Sequence, residues 1–146
     1  MTPLEIDETT QTFISSHRVG HLATADAAGR PLVVPVCFVL DRGSVYSALD
    51  RKPKSVALEQ LRRVKNIRQN PKVSLVIDDY SDDWSRLAYV LIDGTAEVIM
   101  PGNREHSAAV GLLREKYPQY RSMPIHESPM IKIIPERVKR WQSQTD

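Results

Sequence analysis

The residues best suited to bind an anion lie in one short stretch of the chain. Eight basic side chains fall between residues 51 and 72, where Glu59 is the single acid: Arg51, Lys52, Lys54, Arg62, Arg63, Lys65, Arg68 and Lys72. The whole chain carries a formal net charge of only +2. A local concentration of positive charge in a nearly neutral chain favours a compact anion, such as a phosphate group, over a long nucleic acid.

Two parts of this stretch are candidates for binding the same phosphate. Pro53 fixes φ between Lys52 and Lys54, so a locally extended path would direct both ammonium groups to one side. Further along the chain, Arg63 offers a planar fork that holds a phosphate through two hydrogen bonds, and Lys65 is close by in sequence. The alternative is that these charges only solvate the outer face of a helix.

The sequence contains none of the common catalytic patterns. It has no Gly-rich phosphate loop, no G-x-S-x-G turn and no H-E-x-x-H pair. His17 and His21 are four residues apart, but a predicted helix-to-strand boundary separates them. Cys37 is the only cysteine and lies in an apolar run, which predicts a small buried side chain. We therefore expect no metal site and no catalytic side chain, a pattern typical of proteins whose bound cofactor carries the chemistry.

A planar cofactor ring also needs a flat apolar surface with a few backbone hydrogen-bonding groups. Val34-Pro35-Val36 and the strand residues Ser47 and Ala48 are candidates, although ordinary core packing explains them equally well. Trp84 and Trp141 are the only tryptophans, and both stand in polar surroundings. Each is a candidate to lie against a ring or in a subunit interface.

The elements that position these residues are mostly short strands. Asp7 is suited to cap an opening helix, and further helices are predicted over 55–69 and 104–117. Strands are predicted at 19–25, 31–40, 45–49, 73–79, 87–92, 95–100 and 130–134, with an extension at 138–141 and a turn or bulge at Asp93-Gly94. Pro35 should mark an edge or bulge, and the doubly apolar strand 31–40 should be covered on both faces. Six or so strands with an inserted helix predict an α+β, mainly β barrel.

The bulk properties fit a single domain over residues 1–146. The chain is 41% hydrophobic and 26% charged, which is ordinary for a globular protein. No apolar stretch approaches the roughly 20 residues of a membrane-spanning helix. The N-terminus carries no basic and apolar signal segment. We therefore expect a cytoplasmic protein with no membrane partner.

Several segments resemble, in order and spacing, those of one known superfamily. Segment 19–38, with Leu22-Ala23-Thr24 and Gly29-Arg30-Pro31, is similar to the first hairpin of the pyridoxamine-phosphate-oxidase-like split barrels. Segment 66–75 resembles their helix-to-strand junction, 93–98 a later Gly-x-Ala strand, and 133–141 the terminal strand. The resemblance covers almost the whole chain. Lys52-Pro53-Lys54 and segment 78–84 look most like a branch of F420-dependent enzymes.

The resemblance implies a six-stranded split β-barrel that forms a homodimer, with cofactor sites at the subunit interface. It implies that Lys52, Lys54 and Arg63 hold the cofactor phosphate, with Arg63 standing where the family often has lysine. The implied cofactor is coenzyme F420 or FMN, and the implied reaction transfers a hydride to or from a small organic substrate. The Arg- and His-containing C-terminal segment of true pyridoxamine-phosphate oxidases is not seen, so vitamin B6 oxidation is not expected.

Two alternatives belong to other functional classes. The first is a non-enzymatic carrier of such a cofactor or of haem, which would bind its ligand without turnover. The second is a small nucleic-acid-binding barrel that uses the basic segment. Aromatic residues make up only 6% of the chain and offer few surfaces for base stacking. We therefore expect no nucleic-acid partner.

Overall fold

The computed structural model describes residues 4–49 and 60–144, which form one antiparallel sheet of seven strands and three α-helices. The sheet order is β2-β1-β5-β6-β7-β4-β3. The strands are β1 Gly20–Ala25, β2 Pro31–Val36, β3 Val39–Asp41, β4 Ser44–Ala48, β5 Lys72–Asp79, β6 Ala88–Ile99 and β7 Met130–Gln142, and the helices are α1 Glu8–Ser16, α2 Arg62–Gln69 and α3 Arg104–Lys116. Lys52 and Lys54 lie outside the described residues.

The predicted α+β, mainly β class is confirmed, but the strand number is seven rather than six. The predicted strand 31–40 is interrupted at Cys37 and Phe38 and becomes β2 and β3. The backbone N–H of Phe38 donates to the Tyr117 hydroxyl over 2.9 Å, and its carbonyl accepts from the Lys116 ammonium over 3.0 Å. Because side chains at the end of α3 take up both backbone polar groups of Phe38, the strand ladder stops there.

The core lies on the inner face of the sheet. Its largest aliphatic side chains alternate along the strands and are fully buried: Leu22, Leu75, Ile77, Ile92, Ile131 and Ile133. They belong to a single cluster with contributions from every strand except β3. One sheet can share one apolar core in this way only if it curves around it. Each such side chain contributes about 1.5–3 kcal/mol of burial free energy.

A second apolar cluster covers the other face of β4. Tyr46 and Ala48 pack with Leu113 of α3, whereas Val45 and Leu49 belong to the inner core. Since neighbouring strand residues point to opposite faces, β4 is buried on both. This explains why its sequence shows no polar alternation.

The edge strand β2 departs from the prediction that both faces of segment 31–40 are covered. Val33 is 61% exposed, and Pro35 is exposed as well. Among the described residues, β2 pairs only with β1 and stands at the end of the sheet order. The predicted edge position of Pro35 is confirmed, because a residue without an N–H is tolerated there.

Local signals predicted other boundaries well. Asp7 caps α1 by accepting from the N–H of Thr10 over 2.8 Å. Arg42 and Gly43 have φ values of 51° and 80°, as a two-residue hairpin turn between β3 and β4 requires. The predicted strands 87–92 and 95–100 form one strand, β6, whose ladder with β7 has a bulge between Asp93 and Gly94. No helix of the described ranges is long and apolar enough to cross a membrane.

Helix α2 is shorter than predicted within the described residues. Residues 60 and 61 are not part of it, and Leu61 is an extended N-cap residue without a side-chain capping bond. Val64 and Ile67 are buried. The buried Asn66 amide donates to the Thr24 hydroxyl over 3.0 Å and ties the helix to β1.

The β6 bulge leads to a prediction about two glycines. A Cβ at Gly94 would collide with the carbonyl oxygen of Ile134 on β7, so Gly94→Ala should lower the free energy of unfolding by about 2–3 kcal/mol. Gly111, exposed within α3, has open space around a Cβ, so Gly111→Ala should raise it by about 0.5–1 kcal/mol. Urea denaturation checks both variants; equal effects would contradict the proposed crowding at Gly94.

Candidate functional site

Two of the predicted ring-binding segments meet at the corner where β2 ends. The ladder between β3 and β4 pairs Val39 with Tyr46 and goes no further along β4. Ser47 and Ala48 follow Tyr46, while Val36 precedes Val39 by three residues, so both segments flank Cys37 and Phe38. The corner is therefore bordered by the end of β2 on one side and the end of β4 on the other.

The side chains at this corner differ in accessibility. Ser47 and Ala48 are buried, at 3% and 6% exposure, and pair with Ile131 and Met130 of β7. Neither residue therefore presents accessible surface to a ligand in the single chain. On β2, Val34 is half-buried and Pro35 exposed. The accessible surface at this corner therefore belongs to β2.

Helix α2, which carries basic side chains, packs against β1 and β6. Arg63 is half-buried and Lys65 is exposed. Thr24, which holds the helix through Asn66, pairs with Leu32 of β2. Arg63 and Lys65 thus lie on a helix anchored near the beginning of β2. The chain also leaves β4 at Leu49, directly ahead of Lys52 and Lys54.

The two tryptophans lie elsewhere. Trp141 is 41% exposed and stacks on Tyr89, with ring centroids 5.6 Å apart and planes 25° from parallel. Trp84 is 68% exposed in the short 3₁₀ turn that precedes β6. Both stand at the end of the sheet where β6 begins and β7 finishes.

Strand order separates Trp141 from the β2 corner. Pro35 pairs with His21, His21 with Val76, Val76 with Leu91, and Leu91 with Lys139. Pro35 and β7 are therefore four strand spacings apart, about 20 Å along the sheet.

The outer face of the sheet is partly apolar and accessible. Strand register places Pro35, Val33, Ala23 and His21 on one face of β1 and β2, and the same face continues across β5 and β6. Val19 is 48% exposed at its margin. Arg137 and Lys139 on β7 border this face opposite β2. An apolar area of this kind with a charged margin is typical of an interaction surface.

Lys116 and Tyr117 define the electrostatics behind the β2 corner. The Lys116 ammonium lies 4.0 Å from the centre of the Phe38 ring. Burial, with a further contribution from the Arg18 charge, lowers the pKa of Lys116 to about 8. Burial raises the pKa of the Tyr117 phenol to about 12, so Tyr117 stays neutral at physiological pH.

The histidines serve mainly as structural ties. His17 bonds the Asp79 carboxylate through Nε2 and the Phe13 carbonyl through Nδ1, each over 2.6 Å, and so joins α1 to β5. His106 is 1% exposed, and its Nε2 donates to the Ser128 carbonyl over 2.7 Å. His21 is exposed on β1 and does not share an element with His17, as predicted.

The sequence did not single out Lys116, Tyr117 or Tyr89. Tyr117 meets Phe38 across 79 positions of sequence, and no local pattern indicates such a contact. The contact of Tyr89 with Trp141 has a partial signal in the sequence, because both residues lie in predicted strands and pair directly in the ladder. Recognising that pair, however, requires the register of β6 with β7.

The chain belongs to the pyridoxamine 5'-phosphate oxidase family, whose profile matches residues 6–142. It is 29% identical over 138 residues to the 5a,11a-dehydrotetracycline/5a,11a-dehydrooxytetracycline reductase of Streptomyces rimosus subsp. rimosus. That alignment covers 92% of this chain and 82% of the reductase.

Solved structures share the fold. The haem storage protein HutZ of Vibrio cholerae has a TM-score of 0.74 at 16% identity, over 96% of this chain and 98% of that one. An FAD-binding protein of Mesorhizobium loti has a TM-score of 0.63 at 23% identity, over 88% and 87% of the two chains. The seven-stranded sheet with three helices is consistent with the split barrel of this family.

Lys116 should make stability depend on pH in a definite direction. Its pKa is about 8 in the folded protein and ordinarily 10.5, so between these values the unfolded chain binds more protons. The contribution of Lys116 to the free energy of unfolding should therefore rise as pH increases from about 8 to 10. Urea denaturation of wild type and Lys116→Met, both carrying Cys37→Ser to remove the thiol, measures the difference. A difference independent of pH would contradict the assignment.

Proposed function

We propose that this protein is an oxidoreductase that uses a bound flavin-type cofactor to reduce an unsaturated small molecule. The observation that carries the proposal is the alignment with a reductase across 92% of the chain. When bound, such a cofactor supplies a hydride to one carbon of a double bond, and a proton from solvent completes the reduction at the other. The protein would supply binding and orientation, which fits a sequence without a catalytic constellation.

We further propose coenzyme F420 as the cofactor, with FMN as the alternative. Segments 52–54 and 78–84 support F420 through their resemblance to the F420-dependent branch. Both cofactors combine a planar ring with a phosphate group, so the same surfaces serve either one. The substrate class we infer is a polycyclic compound with an additional carbon–carbon double bond, because the related reductase acts on dehydrotetracyclines.

The described residues fit such a cofactor. Asp26 and Arg30 are hydrogen-bonded across the turn between β1 and β2, and bonded pairs alternate along an antiparallel ladder. Val34 and Val36 therefore bond to β1, whereas Val33 and Pro35 direct their backbone groups outward. The N–H of Val33 and the carbonyls of Val33 and Pro35 suit the rim of a ring, and the exposed Pro35 side chain suits its face. The basic residues Arg63 and Lys65 on α2 stand near the beginning of the same strand and suit the phosphate. Ser47 and Ala48 are buried in the single chain, and their contact with the ring stays a prediction.

We propose that the protein works as a homodimer with a cofactor site at the subunit interface. Trp84 and Trp141 stand where β6 begins and β7 finishes, and a second copy packed on the outer sheet face would bring its own tryptophans toward the β2 corner. Covering Val19, Val33 and Pro35 would also remove exposed apolar surface from water. The partly exposed Trp141 ring is suited to such a contact.

The first test is the cofactor itself. The absorption spectrum and mass of any co-purifying ligand should identify a flavin or deazaflavin, and the apo protein should bind F420 or FMN on titration. With reduced cofactor, it should consume an unsaturated polycyclic acceptor.

Lys54→Ala should weaken cofactor binding by about tenfold. Lys72→Ala, which removes an exposed lysine paired with Glu136, should leave cofactor binding unchanged. Equal affinities of both variants would refute the phosphate site.

The same experiment addresses the alternative of a carrier. Two proteins that share the fold, HutZ and a protein of Mycobacterium smegmatis, are haem proteins, and haem requires an axial ligand. The exposed His21 is the residue of the outer sheet face suited to that role. Haem binding lost in His21→Ala, or tight F420 binding without turnover on a broad panel of acceptors, would favour the carrier over the enzyme.

The homodimer has its own test. Val33→Asp places a carboxylate in the proposed interface and should weaken dimerisation by at least about tenfold. Met100→Asp is the matched control, because Met100 is similarly exposed (53%) but lies at the far end of β6. Light scattering coupled to size-exclusion chromatography measures the mass. A monomeric wild type, or equal masses for both variants, would contradict the proposed interface.

A further inference from the structure

We infer that Tyr117 and Lys116 are positioning residues that set the course of β2 where the cofactor ring is proposed to lie. The inference rests on the proposed function, because it concerns the same edge of β2. It assigns a role in cofactor binding to two residues at the end of α3 that are not themselves expected to touch the cofactor.

Hydrogen bonds join three parts of the chain around the buried backbone of Phe38: the segment before β1, the corner after β2 and the end of α3. The Tyr117 hydroxyl accepts from the Phe38 N–H over 2.9 Å and lies within donating distance of two carbonyl oxygens, those of Arg18 at 2.8 Å and Phe38 at 3.0 Å. Lys116 donates to the same Phe38 carbonyl over 3.0 Å. In return, the Arg18 guanidinium donates to the Lys116 carbonyl. The segment entering β1 and the corner leaving β2 are thus held by the end of one helix.

This connection matters because β2 has little else to hold its end. A central strand is fixed by ladders on both sides, whereas β2 pairs only with β1 among the described residues. Its last pair is Gly20 with Val36, and the corner with Phe38 follows immediately. The contacts of Tyr117 and Lys116 therefore take over where the ladder stops, and we expect them to fix where the outward backbone groups of Val33 and Pro35 lie relative to a ring.

The Phe38 ring and the charges around Lys116 strengthen the arrangement. Phe38 is fully buried, and its ring contacts the Lys116 ammonium as a cation–π pair. Arg18 and the Cys37 thiol are the other ionisable groups that act on Lys116, and Tyr117 is adjacent. Displacing the corner would expose an aromatic side chain and leave buried polar groups without partners, so a small shift is costly.

The experiment compares Tyr117→Phe with Ser122→Ala, which removes an exposed hydroxyl that donates to the nearby Gln119 carbonyl. Tyr117→Phe should weaken F420 or FMN binding by about five- to tenfold, the equivalent of one lost buried hydrogen bond. It should also shift the visible spectrum of the bound cofactor. Ser122→Ala should leave both unchanged. Binding is measured well below the thermal midpoint of each variant, with circular dichroism confirming the folded fraction.

A second pair of variants keeps the test decisive if Tyr117→Phe does not fold. Lys116→Met should weaken cofactor binding, and Lys116→Arg, which retains a donor and a charge, should restore most of it. A lowered thermal midpoint with unchanged affinity and spectrum would show that these residues serve stability alone and would overturn the inference. Failure of wild type to bind either cofactor would overturn the proposed function as well, so the two failures are distinguishable.

Discussion

A peptide group that is removed from water must find hydrogen-bond partners, and the way Phe38 meets this requirement shapes the molecule. Phe38 lies in an apolar run whose backbone, if it continued as a strand, would extend β2 into β3. Its N–H and carbonyl are taken instead by the phenol and ammonium of Tyr117 and Lys116. As a result the run divides into two strands that stand at opposite ends of the sheet order, and the sheet is left with a corner at which β2 and β4 approach each other.

Much of the fold could be predicted from the sequence because its signals are local. The Asp7 cap, the turn at Arg42 and Gly43, and the strand predicted over 73–79 each depend on neighbouring residues, and the structure confirms all three. The division of segment 31–40 could not be predicted, because its cause is Tyr117, 79 positions away from Phe38. The merger of two predicted strands into β6 has a similar origin: the bulge at Gly94 is visible only against β7.

The candidate site, like the fold, has parts that the sequence predicts and parts that it does not. The concentration of basic residues is a property of composition, so the sequence alone is enough to propose the anion-binding segment. Whether Trp141 and Pro35 belong to one site depends on strand order, which local patterns do not specify. The structure places them four strands apart in the sheet order, and the proposed homodimer offers a second route by which a tryptophan reaches the β2 corner. Sequence reasoning also proposed Ser47 and Ala48 without indicating that their side chains are buried.

The composition of β2 has a consequence for how copies of this protein meet. An edge strand with free N–H and carbonyl groups can template the addition of a strand from another molecule and so begin edge-to-edge aggregation. Two of the six residues of β2, Pro31 and Pro35, lack an N–H. A strand added along this edge would therefore find an interrupted row of donors, and continuous sheet extension is disfavoured. The edge stays open to a small ring that needs one or two backbone groups, while it resists a polypeptide that needs all of them.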